Sequence, residues 1–482
     1  MKSFRHRNLT TRRSFLRQGA TLAGAVTLPM TRTDIAEAGL EERGPVRLAQ
    51  RDAGIVAPAP AITTKSTRLV GSSIDYAYAV KAGPWVFLNG HEAFDFTHGL
   101  APEVEGPPGR RLSGRPPLRR EADYLLRRMR SILTEFGTDL PNAVRVDQYY
   151  TTAPAVSAYH LAHFSEFGDY IPPSTSIIME RCFSARANTH TSMIAVVPER
   201  GYEVDKFTLP GQAISASGYN PAVAASDFVF VAGNMALRPD GTMDPKVHVL
   251  PGRNWGGETA FRRQVRYIIT ERLEPSLKTA GSALEHSLKA QAYIRGVENL
   301  PDFMEVWAQH FRDIPCAVTP VLAKGYGNTE SMIEINLIAL KGGASRRKEV
   351  VATGIPSAAT FGPCVRAGEL VFPSGLIAVG ADGGVPGDEQ ATAFDGLNLA
   401  GELQGALLLS YMDAVCKAVG VSAANVVRAQ YFLTDIRDFA GIARAWQDRY
   451  GRQPHPFACV QAPGPMPIAG AVALADFWVF AA

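Results

Sequence analysis

Glu334 stands in "SMIEINLIAL", the run from Ser331 to Leu340, where it alternates with Ile333 and Ile335. Successive side chains of a strand point to opposite faces, so this carboxylate leaves the face that the two isoleucines occupy. A carboxylate so placed can polarise a water, or it can pair with a neighbouring arginine or backbone amide, and at this point both readings stand. Cys316 and Cys459 lie in proline-marked loops, and His455 precedes Cys459 by four residues. A thiolate beside an imidazole is a nucleophile pattern. Extended chain would hold those two about 13 Å apart, so they meet only across a turn, and packing is the reading adopted. His160 and His163 share a helical face and, with His91 and His190, raise the question of a metal. No spacing supplies a third ligand, so ordinary packed or solvated histidines are expected and no metal site. The five cysteines (Cys182, Cys316, Cys364, Cys416, Cys459) show no CxxC spacing and are too few for a disulfide framework. Cys416 falls in an apolar helical pattern and reads as core.

The elements that must carry these residues repeat. "VKAGPWVFLNG" at 80–90, "VAASDFVFVAG" at 223–233 and "VRAGELVFPSG" at 365–375 each give a turn, an apolar run and a closing glycine, the pattern of a strand entering a tight bend. Gly90, Gly233 and Gly375 are 143 and 142 residues apart. A glycine-capped amphipathic helix recurs at that interval, ending at Gly137, Gly281 and Gly420. Next comes a strand, "AVRVDQYYTT", "SLKAQAYIR" or "VVRAQYFLTD", in which Arg145, Lys289 and Arg428 are equivalent, as are Tyr149, Tyr293 and Phe432. A second helix, a proline-marked extended segment and a last apolar strand close each unit, and "VPERGYEVDKFTLPGQ" and "KGGASRRKEV" read as linkers.

A chain of 482 residues that is 46% hydrophobic and 20% charged suits two to four soluble globular domains. The net charge is +3, but residues 1–38 carry seven Lys/Arg against Asp34 and Glu37, a contribution of +5 that leaves −2 for the rest. That body offers no basic face for nucleic acid; "GRRLSGRPPLRR" at 109–120 reads as a solvated loop. No apolar run reaches the roughly 18 residues of a membrane span, so no stable membrane anchor is expected. The start, "TTRRSFLRQGATLAGAVTLPM", reads as a twin-arginine export signal over 1–38, with Ala36-Glu37-Ala38 as the cleavage site. A flexible tether over 39–66 is expected to follow it.

The repeated unit resembles the RidA (YjgF/L-PSP) family over about 400 residues, carried by the "VKAGPWVFLNG" type of strand, the glycine-capped helix, "VVRAQYFLTDIRDFAGIARAWQDRYG" and the proline before the penultimate strand. The resemblance implies an α+β fold: three tandem two-layer α/β RidA-like (chorismate-mutase-like) domains, at 67–199, 212–341 and 351–482, forming a single-chain pseudo-trimer. One chain would then close the ring of interfaces that separate subunits close elsewhere, and its clefts could diverge. Pairing of two such rings into a homodimer is compatible with this reading.

The resemblance also implies an arginine after the proline loop for a substrate carboxylate, an acidic residue on the last strand that places the attacking water, and a tyrosine lining the pocket. The arginine position reads Thr175, Val318 and Ala458, the acidic one Ser192, Glu334 and Asp476, and the aromatic one Tyr76, Tyr219 and Phe361. The polar residue before the closing glycine is Asn89, Ala232 and Ser374. The expected catalytic residue is therefore Glu334. Substrate is expected to meet Tyr76, Tyr219, Asn89, Asn234, Thr175 and Ser374, with no cofactor. Without the guanidinium a small 2-imino acid loses contacts individually worth about 1.5–3 kcal/mol. The expected function is a hydrolytic deaminase of small enamine or imine metabolites, or a related hydrolase, exported to the periplasm by the twin-arginine machinery. The alternative is a small-molecule binder or scaffold that kept the trimeric architecture and lost the chemistry.

Overall fold

In this computed structural model the described residues are 62–95, 99–107, 114–209, 217–249, 258–387 and 399–482. The segment expected to be an export signal and most of the expected tether lie outside them.

Three six-strand paths share one strand order. In the first, Ile62–Arg68, Asp75–Ala82, Trp85–Glu92, Thr189–Val196, Ala143–Tyr150 and Ser174–Ile178 follow one another across the sheet. The second runs Val204–Phe207, Ala222–Ala225, Phe228–Asn234, Ile333–Leu340, Ser287–Arg295 and Ala317–Ala323. The third runs Lys348–Val351, Cys364–Ala367, Leu370–Phe372, Ala473–Phe480, Val426–Leu433 and Phe457–Gln461, and Arg181–Cys182 extends its edge. The last two strands of each path are parallel, because a helix crosses between them: Ala153–Phe167, Leu300–Phe311 or Phe439–Tyr450.

The two-residue hairpin turns begin at Gly83, Ser226 and Gly368, with φ of 56°, 53° and 55°. That left-handed start suits the twist of the flanking strands and normally requires glycine. The first helix of each unit is Pro117–Glu135 in the first and Leu399–Ala418 in the third. In the second, Ala260–Tyr267 passes through a π turn, Ile268–Leu273, into Glu274–Thr279. The π turn precedes Pro275, which has no N–H to bond back along the helix.

Each sheet buries one face under its own two helices. Leu125, Met129 and Tyr159 pack there in the first unit, Val265, Phe303 and Trp307 in the second, and Leu408, Ile442 and Trp446 in the third. The opposite faces share one apolar cluster in which Trp85, Phe87, Phe228, Phe230, Phe372 and Trp478 all take part. Most of the stability follows from these two-sided sheets, since apolar area removed from water is the dominant favourable contribution.

Several expectations change. The two segments read as linkers contain the edge strands Val204–Phe207 and Lys348–Val351, and Ile62–Arg68 is a strand where the tether was expected to end. These strands are short and charged, so their sequences look like loops. Within "GRRLSGRPPLRR" the helix already begins at Pro117. There Arg119 bonds Asp123 and Ser165, and Arg120 bonds the carbonyls of Val104 and Arg115; residues 109–113 lie outside the described ones.

Candidate functional site at the seams between sheets

The central strands Ala143–Tyr150, Ser287–Arg295 and Val426–Leu433 bring their equivalent polar residues together. Arg145 Nε donates to both oxygens of Asp147 at 3.0 and 3.1 Å, and Arg428 Nη2 reaches Asp147 Oδ2 at 2.5 Å. Gln291 accepts from Arg145 and donates to Gln430 Oε1 and Asp476 Oδ2, each at 2.7 Å. Tyr149 and Tyr293 meet hydroxyl to hydroxyl at 2.8 Å. Burial alone would raise the pKa of Asp147, but Arg145 and Arg428 hold it below the ordinary carboxylate value.

The expected site residues fall on three different seams. Between the first and second sheets, Glu334 Oε1 accepts from the Ser176 amide at 3.2 Å, and Thr175 Oγ1 accepts from Asn336 Nδ2 at 2.9 Å. Gly233 makes the approach feasible, since a Cβ there would lie 2.0 Å from Glu334 Oε1 and 3.0 Å from Thr175 Oγ1. Glu334 Oε2 is buried and meets no partner among the described residues. Burial pushes the pKa of this carboxyl up to about 8, against the opposing Ser176 amide and with a further push from Asp147. It is therefore a proton donor near neutral pH. Asn234 sits beside Gly233, donating to the Ala232 carbonyl and accepting from Arg272. Tyr219 packs against the helix-side core of the first unit, and the neighbouring Asn220 amide donates to the Ile171 carbonyl.

Between the second and third sheets, Ser374 Oγ accepts from the Val318 amide at 3.0 Å and donates to the Pro363 carbonyl at 2.8 Å. Lys289 Nζ donates to Thr319 Oγ1 and the Pro373 carbonyl, and lies 2.9 Å from Asp476 Oδ1. Between the third and first sheets, Asn89 Nδ2 donates to the Val427 carbonyl at 3.1 Å, and the Tyr76 hydroxyl donates to the Asn89 carbonyl. The Tyr76 ring stands 4.6 Å from that of Phe457. The structure thus brings Glu334, Thr175 and Asn234 to one seam, with Tyr219 at its margin. Tyr76 and Asn89 belong to another, and Ser374 to a third.

Strand register corrects two equivalences. Asp147, Gln291 and Gln430 pair with Thr175, Thr319 and Ala458 on the parallel neighbour, so the counterpart of Thr175 in the second unit is Thr319 and not Val318. Across the antiparallel pair the same three residues face Ser192, Asn336 and Asp476. Glu334 faces Tyr293, and His190 and Leu474 take the equivalent places opposite Tyr149 and Phe432. Asp476 therefore matches Asn336 rather than Glu334, an offset of two residues that keeps the same face of the strand.

His190 is held by a group that the sequence reading did not find. Its Nδ1 lies 2.8 Å from Glu92 Oε1, and Glu92 also accepts from the amides of Phe183 and Ser184 at 2.7 and 2.8 Å. The register pair Glu92 and His190 joins residues almost a hundred positions apart, which is why no local motif announces it. His455 stacks on Trp446 at 3.8 Å and its Nε2 meets the Tyr431 hydroxyl at 2.9 Å. Burial pushes the Cys459 thiol well above its ordinary pKa, so this pair packs and does not form a nucleophile. His160 and His163 stack at 5.0 Å. All five cysteines are free thiols and buried. A polar cavity of about 340 Å³ is lined by residues that include Asp205, Asp227, Lys341 and Arg346 and by none of the expected site residues.

The family profile described as endoribonuclease L-PSP matches residues 210–341 and 352–464, about half of the chain. The chain belongs to the endoribonuclease L-PSP family. Among solved structures, yeast Mmf1 is 19% identical, with 29% of this chain and 99% of that chain covered and a TM-score of 0.24. Escherichia coli TdcF with bound serine is 17% identical, with 28% and 98% covered and a TM-score of 0.24. A chorismatase is 14% identical, with 70% and 93% covered and a TM-score of 0.42. No curated protein matches. This L-PSP family chain is an α+β protein, and no described helix is long and apolar enough to cross a membrane.

Proposed function

We propose that this chain is a hydrolase of small uncharged imines or enamines, acting at the seam between its first and second sheets. Membership of the L-PSP family supports a small-molecule deaminase or binding role. The observation that carries the reading is Glu334, buried, with one oxygen held by the Ser176 amide of the neighbouring sheet and the other unpartnered. Its neutral carboxyl gives a proton to the nitrogen of an imine, or to the carbon β to nitrogen in an enamine, and either leaves an iminium whose C=N carbon is electrophilic. Water adds its oxygen to that carbon and returns a proton to Glu334. Glu334 then passes that proton to the amine nitrogen, the C–N bond breaks, and the hydroxyl proton returns to Glu334, leaving a carbonyl compound and ammonia. Thr175, Thr319 and Ala458 at the arginine position favour a substrate without a carboxylate, since none of them supplies a charge-assisted contact. Thr175 and Asn234 flank Glu334 at this seam, and Tyr219 lines its margin.

We further propose three RidA-like domains, at 67–199, 212–341 and 351–482 and widened by their edge strands, closed into a single-chain pseudo-trimer. The shared strand order and the contacts from Thr175 to Asn336, Lys289 to Pro373 and Asn89 to Val427 support this reading. An export signal over 1–38 would place the protein in the periplasm.

A second reading, a binder or scaffold without chemistry, is favoured by Ser374, whose hydroxyl is already used at both ends. Ammonia release measured over a panel of uncharged imines and 2-imino acids separates the two. Turnover confined to the uncharged members supports the hydrolase, and binding without any ammonia supports the scaffold.

A further inference from the structure

The shared axis of the three sheets carries five buried charges whose sum is not zero. Arg145, Lys289 and Arg428 are cations, and Asp147 and Asp476 are the anions among them, each of the five no more than 4% exposed. An uncompensated buried charge costs several kcal/mol, and arginine does not escape the cost by losing its proton. Glu334, the nearby carboxyl, is held in its neutral form by burial and does not balance the excess.

At Arg428 and Trp478 the unmet hydrogen-bonding capacity has the matching sign. Arg428 spends only Nη2 on Asp147, while its Nε and Nη1 are buried and find no acceptor among the described residues. Trp478, its cross-strand partner, also has a buried indole Nε1 without an acceptor. The Arg428 guanidinium carbon is 5.1 Å from the centre of the Trp478 ring and that of Arg145 is 5.6 Å away. These three donors sit beside the excess positive charge; of the buried acceptors near them that accept no hydrogen bond, Asn89 Oδ1 and Asp476 Oδ1, the latter lies 2.9 Å from Lys289 Nζ. The Phe87 and Phe372 rings stand edge-on to Trp478, with centroids 6.5 and 4.9 Å away.

We propose that the axis binds one small monovalent anion of halide size, held by Arg428 Nε and Nη1 with the Trp478 indole N–H. Such an ion would neutralise the layer in which all three sheets meet and so couple their closure to halide. The competing ways to balance the charge are a proton lost from Lys289, whose pKa burial lowers despite Asp476, and a neutral water as acceptor.

Crystals of the full chain grown in sodium bromide, with diffraction measured at the bromine absorption edge, test this directly. The expected result is an anomalous peak within hydrogen-bonding distance of Arg428 Nη1, together with a melting temperature that rises by a few degrees on exchanging gluconate for chloride at equal ionic strength. In Arg428→Gln both signals are lost. A chloride titration of the wild-type melting temperature keeps the proposal testable if Arg428→Gln does not fold, and it is expected to saturate as one site fills. Anomalous peaks confined to the surface, or equal melting temperatures in the two salts, overturn the proposal in favour of water or a neutral lysine.

Discussion

Arg428 of the third sheet donates to Asp147 of the first across 281 residues of chain, at 2.5 Å. Arg145 holds the same carboxylate from within its own sheet, so Asp147 is shared by two guanidinium groups in a buried layer. Removing one member of such a group leaves uncompensated charge and typically costs about 3–5 kcal/mol. Asp147→Asn is expected to lower stability by that amount in urea unfolding. Because the folded pKa of Asp147 is depressed, its contribution is present above the unfolded value of about 3.9 and is lost as pH falls through the folded value. Wild type and variant should therefore converge in stability at acid pH.

Glu334 shifts in the opposite direction, and so does its pH dependence. An unfolded glutamate titrates at about 4.3, whereas the folded one is pushed up to about 8 by burial. The folded state binds the proton more tightly between those values, so this contribution is complete below the unfolded pKa and is lost as pH rises through the folded one. Denaturation midpoints measured from pH 5 to pH 9 should decline for wild type. They should stay flatter for Glu334→Gln, which keeps the acceptor for Ser176 and removes the titration.

Gly233 faces the same carboxyl. Its missing side chain is what lets Glu334 sit between the sheets, since a Cβ would fall 2.0 Å from Oε1. Gly233→Ala is expected to cost about 1–3 kcal/mol through overpacking and to move Glu334 off the Ser176 amide. Thermal melting checks the first effect, and a change in the pH slope described above checks the second.

The five cysteines are buried, and burial pushes the thiols of Cys316, Cys364 and Cys416 up to about 12. Thiolates are the reactive form, so the folded protein should show essentially no reaction with an aromatic disulfide reagent at pH 8. All five thiols should react after unfolding in guanidinium chloride.

The legible parts of the sequence were those with a local period. The hairpin turns at Gly83, Ser226 and Gly368, the glycine-capped helices and the central strands with Arg145, Lys289 and Arg428 each announce themselves within a dozen residues. Val204–Phe207 and Lys348–Val351 did not, because a four-residue edge strand with two charges has the composition of a loop. Thr319 was mistaken for its neighbour Val318 because the position was counted from the proline, and Pro315 stands four residues before Thr319 where Pro172 stands three before Thr175; the parallel pairing with Gln291 reveals it. Glu334 was legible as an isolated carboxylate, but its partners were not. Ser176 lies 158 residues away in sequence, and contacts of that range depend on how the sheets meet and not on any spacing within one of them.

Glu334 is the group on which the proposed chemistry turns, and the pH profile of kcat/KM for ammonia release from an uncharged imine tests it most directly. The account predicts a rate that falls as pH rises through about 8, and a loss of about 10²- to 10⁴-fold in Glu334→Gln. An unchanged rate in that variant, a profile flat through pH 8, or no ammonia from any uncharged imine would contradict it.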